Sequence, residues 1–486
     1  MMQLFEVYTL LALTTIGFFV RIIVRPHPLD QFPGPALARW TWLYRAYYDI
    51  VVGGGWLSHL STLHEKYDLL SRPVVRVGRN ELHFTEPAAY TDIYNSPYKM
   101  PKDPDLYHNA FDVGLPPVVF SVVNPKDHSA MKSLFSSYFS RKYVLRLESV
   151  IQERVDKLIS QLLKNHKTTP ANMNHAFRSV TLDIITLYTL RTNPNATAPY
   201  LGRRTASLRL PAWLVVRISP AFKATLEVQA EIKKQVDVAL RDSHKYDPDS
   251  DPDLNVFYTL LNNARIEGKL KESNRVTREW LVAEGLTLRI AGSDTVGNAC
   301  TIGARCLVRD DVVCGKLVQE LEMAWPDKGN PLPLERLEKL PYLTAVIKES
   351  LRLSFGVVSP MNRMVPEAGA VIAGHPVPSG TIVSIANPFV HMNPDIFPDP
   401  ARFYPERWLE DKDHTLDRYL VSFGKGPRAC LGINLAWSEL YMILGNVFRK
   451  LDFQSKSDLW SEVQFREQFV PLYKGDALSA TVSERL

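Results

Sequence analysis

The chain has 486 residues, of which 45% are hydrophobic and 22% are charged, and its formal net charge is +5. This hydrophobic fraction is ample for a globular core. The charge is small for the length and gives no reason to expect a nucleic-acid partner, and four cysteines are too few for a disulfide framework and suit a reducing compartment.

Domain organisation is suggested by length and by the absence of obvious linkers in the sequence. A prior of about 150 residues per domain would give roughly three domains. However, no low-complexity run or internal repeat follows residue 60. Several packed domains are the alternative, and we predict one large, mostly helical domain over residues 41–486.

The N-terminus carries an apolar segment. Residues 7–24 read VYTLLALTTIGFFVRIIV, close to the ~20 residues that span a bilayer, and Arg21 lies near one end where it can snorkel. Only Glu6 precedes the segment as a charge, whereas arginines follow it, which predicts a cytosolic body. A cleaved signal peptide is the alternative, but it would need a basic start and a small-residue cleavage site. We therefore predict a transmembrane anchor over residues 1–25.

Prolines stiffen the chain after this segment. Pro26, Pro28, Pro33 and Pro35 break helix, so residues 26–40 are predicted to form a proline-rich hinge. A second apolar stretch, residues 210–220, is bounded by prolines. It is interpreted as a surface that dips into the same membrane, with a buried turn as the alternative.

The longest helical pattern runs from Arg278 to Arg309 and contains a stripe of small residues. Each of its glycines costs roughly 1 kcal/mol relative to alanine in a helix interior, so the stripe needs a reason. Tight helix packing is one explanation, and a flat macrocycle lying against the stripe is the other. Asp294 and Thr295 lie within this helix, and an acid beside a hydroxyl can relay protons through water. That pair favours the macrocycle.

A charged pair follows in the amphipathic run Leu340 to Phe355. Glu349 and Arg352 are three residues apart and can pair on one helix face. Such a pair is weak evidence alone, because exposed pairs stabilise little. Another arginine, Arg407, follows in the sequence Pro-Glu-Arg-Trp.

The segment from Phe423 to Gly432, FGKGPRACLG, holds one cysteine in a glycine-punctuated, cationic loop. A thiol becomes a thiolate when cations, amide groups or a metal lower its pKa. Lys425, Arg428 and turned backbone amides are therefore expected to act together on Cys430. The other cysteines share no metal-ligand spacing with it, which argues against zinc.

The F-x-x-G-x-R-x-C-x-G spacing resembles the haem-binding signature of the cytochrome P450 superfamily, and the resemblance extends from the N-terminal anchor to the segment after Cys430. It implies a mainly α-helical fold with small β-sheets, preceded by a transmembrane helix. It also implies haem b as the cofactor, with Cys430 as its axial ligand. A thiolate in that position favours cleavage of the O–O bond, so the resemblance implies oxygen insertion.

The resemblance also implies roles for individual residues. Asp294 and Thr295 match the family's acid-alcohol pair, although Val296 stands where many members have a second hydroxyl. Glu349, Arg352 and Arg407 match a buried ionic network that supports the haem site. The residues expected to contact the haem are Cys430, Arg428, Arg363, Lys132, His128, Phe423 and Gly424. The family usually has Trp and Arg in place of His128 and Lys132, which share a face at i and i+4, so a solvated helix face is the alternative there.

The predicted function is a membrane-anchored haem-thiolate monooxygenase that inserts one oxygen atom from O2 into an apolar small molecule. The resemblance to fungal secondary-metabolite members suggests a terpenoid or polyketide intermediate. Electrons would come from NADPH through a separate flavoprotein reductase, with cytochrome b5 as a further partner, at the endoplasmic reticulum membrane. A haem-thiolate isomerase or dehydratase, and a non-catalytic haem sensor or electron carrier, are the alternatives.

Overall fold

The structure, a computed structural model, describes Thr14 and residues 26–68, 73–111, 115–190, 220–245, 255–266, 276–456 and 464–485. Apart from Thr14 and Pro220, the predicted anchor and the apolar stretch 210–220 lie outside these ranges. No helix within the described ranges is both long and apolar enough to cross a bilayer.

Helices dominate the described chain, as predicted. They are α1 (Ala36–Trp40), α2 (Leu43–Ala46), α3 (Trp56–Asp68), α4 (Pro87–Tyr94), α5 (Pro104–Phe111), α6 (Pro125–Ser136), α7 (Arg141–Leu145), α8 (Glu148–Asn165), α9 (Met173–Leu190), α10 (Pro220–Asp242), α11 (Val256–Ile266), α12 (Arg278–Arg309), α13 (Asp311–Ala324), α14 (Leu334–Leu337), α15 (Pro341–Ser354), α16 (Asn387–His391), α17 (Glu406–Glu410) and α18 (Ile433–Lys450). A π-helical turn, Tyr47–Val51, follows α2.

The strands are short. They are β1 (Val74–Gly78), β2 (Glu81–Phe84), β3 (Ala171–Asn172), β4 (Arg363–Met364), β5 (Ala370–Ile372), β6 (His375–Val377), β7 (Ile382–Ser384), β8 (Leu451–Ser455), β9 (Phe465–Gln468), β10 (Val470–Tyr473) and β11 (Ser479–Glu484). They form the four-stranded sheet β1-β2-β7-β4, the three-stranded sheet β3-β11-β8 and two hairpins. Leu82 pairs with Val383 in parallel, and Arg363 pairs with Val383 antiparallel, which places β4 at the edge of the larger sheet.

Helix α12 is the centre of the largest hydrophobic core and has the bounds that its sequence predicts. The Thr277 side chain caps it by accepting a hydrogen bond of 3.1 Å from the Trp280 N–H. Helices α9, α15 and α18 pack around it, and its buried residues include Leu281, Ala299 and Leu307. This helix carries Asp294 and Thr295 through the interior of the protein.

The glycines of α12 face neighbouring helices. A Cβ atom at Gly292 would stand 2.6 Å from the Ile185 side chain, and one at Gly303 would stand 2.2 Å from the Ser350 hydroxyl. The expectation that a macrocycle covers this stripe is therefore wrong for the glycines. They allow helices to approach closely, which was the alternative explanation.

Candidate active site

Cys430 lies between a 3-10 turn, Gly426–Arg428, and the beginning of α18. The Cys430 N–H donates a hydrogen bond of 2.8 Å to the Phe423 carbonyl, which closes the loop. Gly424 and Gly426 have φ angles of 66° and 70°, and a Cβ atom at Gly426 would stand 2.3 Å from the Tyr94 carbonyl oxygen. The loop conformation therefore requires glycine at Gly426.

Cys430 differs from the other cysteines in its exposure. Cys430 is exposed as a residue, whereas Cys300 is buried and the other two cysteines are half-buried. The surrounding protein is nevertheless dense enough that burial raises the pKa of Cys430, opposed by the Gly432 N–H and by Lys132. In the protein alone, burial outweighs the Gly432 amide and Lys132, so the loop by itself does not lower the pKa of this thiol. A bound metal ion would favour the thiolate.

The middle of α12 is also open on one side. Ala291 is exposed, and Asp294 and Thr295 are half-buried, although most neighbouring residues of this helix are buried. The Thr295 hydroxyl donates to the Ala291 carbonyl at 2.9 Å, and Asp294 accepts a bond of 3.1 Å from the Ser293 hydroxyl. An exposed patch in the middle of a core helix indicates that the helix borders a cavity.

Basic side chains converge beside the cysteine loop. Lys132 donates to the carbonyls of Pro427 and Ala429 at 3.0 Å each, and Arg428 donates to the carbonyl of Val123 at 2.7 Å. Arg363 donates to the carbonyl of Asn362 at 3.0 Å. These residues come from distant parts of the chain, and the fold brings them together. We define the basic cluster as Lys102, His128, Lys132, Arg363 and Arg428.

Electrostatics show that members of this cluster repel one another. Burial lowers the pKa of His128 to about 3, and Arg428, Lys102, Lys132 and Arg363 lower it further. Burial followed by Arg363 lowers the pKa of Arg428 to about 10, and burial followed by Arg363 and Arg428 lowers the pKa of Lys102 well below its ordinary value. The partners described for the lysines and arginines are carbonyl oxygens and aromatic side chains rather than carboxylates, so the cluster favours an anionic ligand.

Lys102 is the member of the cluster that the sequence did not predict. Its backbone bridges to Arg363, its ammonium group donates to the Phe120 carbonyl, and it lies 4.0 Å from the centre of the Tyr107 ring. It occurs in a proline-flanked loop without helical spacing, so no periodic signal marks it. Only the fold, which joins this loop to β4, brings it to the cluster.

The predicted ionic set is assembled in full. Arg352 makes two bonds to the Glu349 carboxylate, at 2.7 and 2.9 Å, and Arg407 makes one at 3.1 Å. The Trp408 indole and the Tyr404 N–H each add a bond of 3.0 Å to the same carboxylate. Glu349 and Arg352 are 0% exposed. The spacing that was weak evidence in sequence is thus a fully buried network.

These features fit a haem. Haem carries an iron that takes a thiolate, a flat apolar ring, and carboxylates that basic side chains can bind. The chain offers an accessible thiol at Cys430, an open side in the middle of α12, and the basic cluster adjoining the cysteine loop at Lys132 and Arg428. Phe423 and Gly424 lie in the same loop, with the Phe423 ring 6.2 Å from that of Trp437.

Comparison with known proteins agrees with this geometry. The cytochrome P450 family model matches residues 94–472. The chain is 30% identical to the cytochrome P450 monooxygenase flvC of Aspergillus flavus, over 93% of this chain and 91% of that protein. It is 32% identical to the cytochrome P450 monooxygenase aflU of Aspergillus parasiticus, over 92% and 91%.

A third relative has a more specific name. The chain is 30% identical to the conidiogenone synthase PchP450 of Penicillium rubens, over 94% of each protein. The family binds haem through a cysteine thiolate and typically receives electrons through a reductase. With the family model covering well over half of its length, the chain belongs to the cytochrome P450 family.

Proposed function

We propose that this monooxygenase uses Cys430 as the thiolate ligand of its haem and the basic cluster to hold the haem carboxylates. The observation that carries this proposal is the meeting of an exposed cysteine with half-buried and buried basic groups, since Lys132 binds the carbonyl that precedes Cys430. A thiolate-ligated haem supplies oxygen activation, because the thiolate favours cleavage of the O–O bond.

Asp294 and Thr295 are proposed to deliver protons. The Thr295 hydroxyl donates its hydrogen to the Ala291 carbonyl, so the hydroxyl oxygen can accept a hydrogen bond from water. Asp294 is half-buried and can exchange protons with water while Ser293 orients it. Val296, which replaces a hydroxyl residue of many family members, is 5% exposed and belongs to the core. The proposed relay therefore consists of Asp294, Thr295 and water, without a hydroxyl at residue 296.

The proposed substrate is apolar. We propose that Val118, Phe120, Met361 and Phe469 border it, and the Phe120 and Phe469 rings are 5.4 Å apart. Such a lining suits an apolar molecule. We propose a terpenoid or polyketide intermediate of fungal secondary metabolism, by analogy with the fungal relatives.

Electrons are proposed to come from NADPH through a flavoprotein reductase, with cytochrome b5 as a second donor. Lys425 and Arg428 are the cations of the cysteine loop, and their place in the sequence leads us to expect that they help bind an acidic partner. Arg428 instead points inward, to the carbonyls of Val122 and Val123, so that expectation is wrong for Arg428. Lys425 remains a candidate.

The function is tested by turnover. The purified full-length protein is combined with purified reductase, NADPH and candidate apolar compounds, and NADPH and oxygen consumption are measured with product mass. We expect substrate-dependent consumption of both and a product heavier by one oxygen atom. Product of unchanged mass without oxygen use would indicate an isomerase, and haem reduction without turnover would indicate a sensor or electron carrier.

We also propose that the protein lies on the endoplasmic reticulum membrane with its catalytic domain in the cytosol. Besides the apolar segment 7–24 of the sequence, the structure has an exposed apolar surface that begins at the end of the hinge. Eight of the thirteen large apolar side chains exposed in the described ranges lie between Leu37 and Val52, although these residues are a small part of the chain. This apolar surface consists of Leu37, Trp40, Trp42, Leu43, Tyr47, Ile50, Val51 and Val52.

The chemistry of this surface suits a lipid interface. Tryptophan and tyrosine favour the headgroup level of a membrane, and Arg39, which lies within the segment, can extend toward anionic headgroups. The surface begins a short distance after the predicted anchor, so it would lie at the bilayer whenever the anchor is inserted. We propose that it sits in the headgroup region.

We expect a fluorophore at residue 51 to contact lipid and one at residue 312 not to. Val51 and Val312 are matched controls, because they are 71% and 68% exposed. Full-length Val51→Cys and Val312→Cys proteins are labelled with an environment-sensitive dye and bound to phosphatidylcholine–phosphatidylserine vesicles that carry nitroxide lipids. Strong quenching at residue 51 alone is expected. Equal quenching at both positions would contradict the lipid contact, and absence of vesicle binding would contradict the anchor.

A further inference from the structure

The hairpin of β9 and β10 is attached to the beginning of helix α3. The Leu57 N–H, in the first turn of that helix, donates a hydrogen bond of 2.6 Å to the Glu467 carboxyl group. The Glu467 N–H in turn donates to the Gly54 carbonyl at 3.2 Å. The first N–H groups of a helix lack partners within the helix, so Glu467 caps α3 from more than 400 residues away in sequence.

Gly54 is required for this attachment. Its φ angle is +99°, and a Cβ atom there would stand 2.5 Å from the Glu467 carbonyl oxygen. Gly53 provides a contrast, because its φ angle is +74° but a Cβ atom there would meet nothing within 4 Å. Both positions strain a residue other than glycine. Only at Gly54 does the missing side chain also allow the β9–β10 hairpin to approach the backbone closely.

The turn of the same hairpin lies beside the proposed substrate cavity. Phe469 has a φ of 71°, which is rare for a residue with a side chain, and its carbonyl accepts a bond of 2.9 Å from the Val358 N–H. Its ring meets the Phe120 ring edge to face. The Phe120 carbonyl accepts from Lys102 of the basic cluster. A strained turn persists only where its surroundings hold it, and Glu467 is two residues away.

We propose that Glu467 is a positioning residue for substrate selection: its carboxyl group caps α3 and thereby holds Phe469 against Phe120 at the cavity wall. The inference rests on the proposed function only in treating that wall as the border of the substrate cavity. Since α3 follows directly on the apolar surface, the attachment also links the membrane-facing segment to the cavity.

The attachment is sensitive to pH. Burial raises the pKa of Glu467 to about 7, and Asp49 acts in the same direction. Leu57, Arg45 and Ser359 act in the opposite direction, and Arg45 is itself paired with Glu81 at 3.1 Å. Glu467 is half-buried, so solvent still reaches part of it.

The direction in which pH shifts the hairpin between open and closed states follows from proton uptake. An open hairpin exposes Glu467 to water and returns its pKa to the ordinary value of 4.5. Closing the hairpin raises that pKa, so the closed state binds the proton more tightly. The closed state is therefore favoured fully below the ordinary pKa, and this preference is lost as the pH rises through the raised value.

Hydrogen exchange on the full-length holoenzyme tests the attachment directly. After correction for intrinsic exchange, we expect protection of residues 465–473 to fall about tenfold or more from about pH 5 to about pH 8, because closing the hairpin no longer takes up a proton once Glu467 is ionised in both states. Glu467→Gln mimics the protonated acid and should stay protected throughout. Glu467→Ala should be poorly protected throughout. Protection that does not depend on pH in the wild type, or that falls equally across the whole chain in Glu467→Ala, would overturn the proposal.

Ligand size tests the consequence for the cavity. Spectral titration of each holoenzyme with imidazole and with 4-phenylimidazole gives the ratio of their affinities. We expect Glu467→Ala and Gly54→Ala to change this ratio about five- to tenfold, and Gly53→Ala to leave it near the wild-type value. An unchanged ratio in the first two variants, or an equal change in Gly53→Ala, would overturn the proposal. Failure of the wild type to bind either azole would instead count against the proposed function.

Discussion

Replacing Cys430 with alanine is expected to abolish the red-shifted Soret band of the reduced CO complex and NADPH-dependent oxygen insertion. The band requires a thiolate opposite CO, and alanine supplies no ligand atom. The thiolate also promotes O–O cleavage, so turnover should fall to the background of the assay. The measurement is the CO difference spectrum of purified protein, with haem content determined separately.

A second cysteine provides the control for this experiment. Cys306 is half-buried on α12, and burial raises the pKa of its thiol to about 12, so it is a poor metal ligand. Cys306→Ala should keep the Soret band and activity. The Cys430 N–H bond to Phe423 is a backbone contact and survives the change to alanine. A thiolate-type band in Cys430→Ala, or its loss in Cys306→Ala, would show that Cys430 is not the ligand.

Periodicity and capping explain why some elements could be predicted from sequence. The bounds of α12 follow from Thr277, which caps its beginning, and from Asp310, whose extended backbone ends it. The pairing of Glu349 with Arg352 follows from their spacing of three residues on one helix. These features depend on neighbours in sequence, and the sequence contains them.

Other features depend on contacts between distant residues. Periodicity identified the small-residue stripe on α12, but it could not tell that helices cover the glycines. The basic residues around Cys430 suggested a lowered thiol pKa, but burial, which only the fold determines, raises it. Lys102 and Glu467 likewise act on partners in remote segments. No local pattern carries that information.

Glu349→Gln is expected to reduce the free energy of unfolding by about 3–5 kcal/mol, the usual cost of breaking a buried ion pair by removing one partner. The carboxylate accepts bonds from Arg352, Arg407, Trp408 and the Tyr404 N–H. The substitution leaves both arginines charged, buried and without that carboxylate, and the glutamine NH2 group faces donors instead of accepting from them. Urea unfolding followed by circular dichroism, at equal haem content, measures the loss.

An exposed pair on the same protein shows whether burial causes the effect. Arg141 and Glu338 form a two-bond pair whose side chains are 43% and 21% exposed. Because water solvates both partners, Glu338→Gln should cost no more than about 1 kcal/mol. If the two substitutions cost the same, the buried network would stabilise the fold no more than a surface pair does. A large cost at Glu349 alone would mean that the glutamate neutralises Arg352, which also holds the carbonyls of His391 and Pro400, and thereby fixes the segment that leads to the cysteine loop.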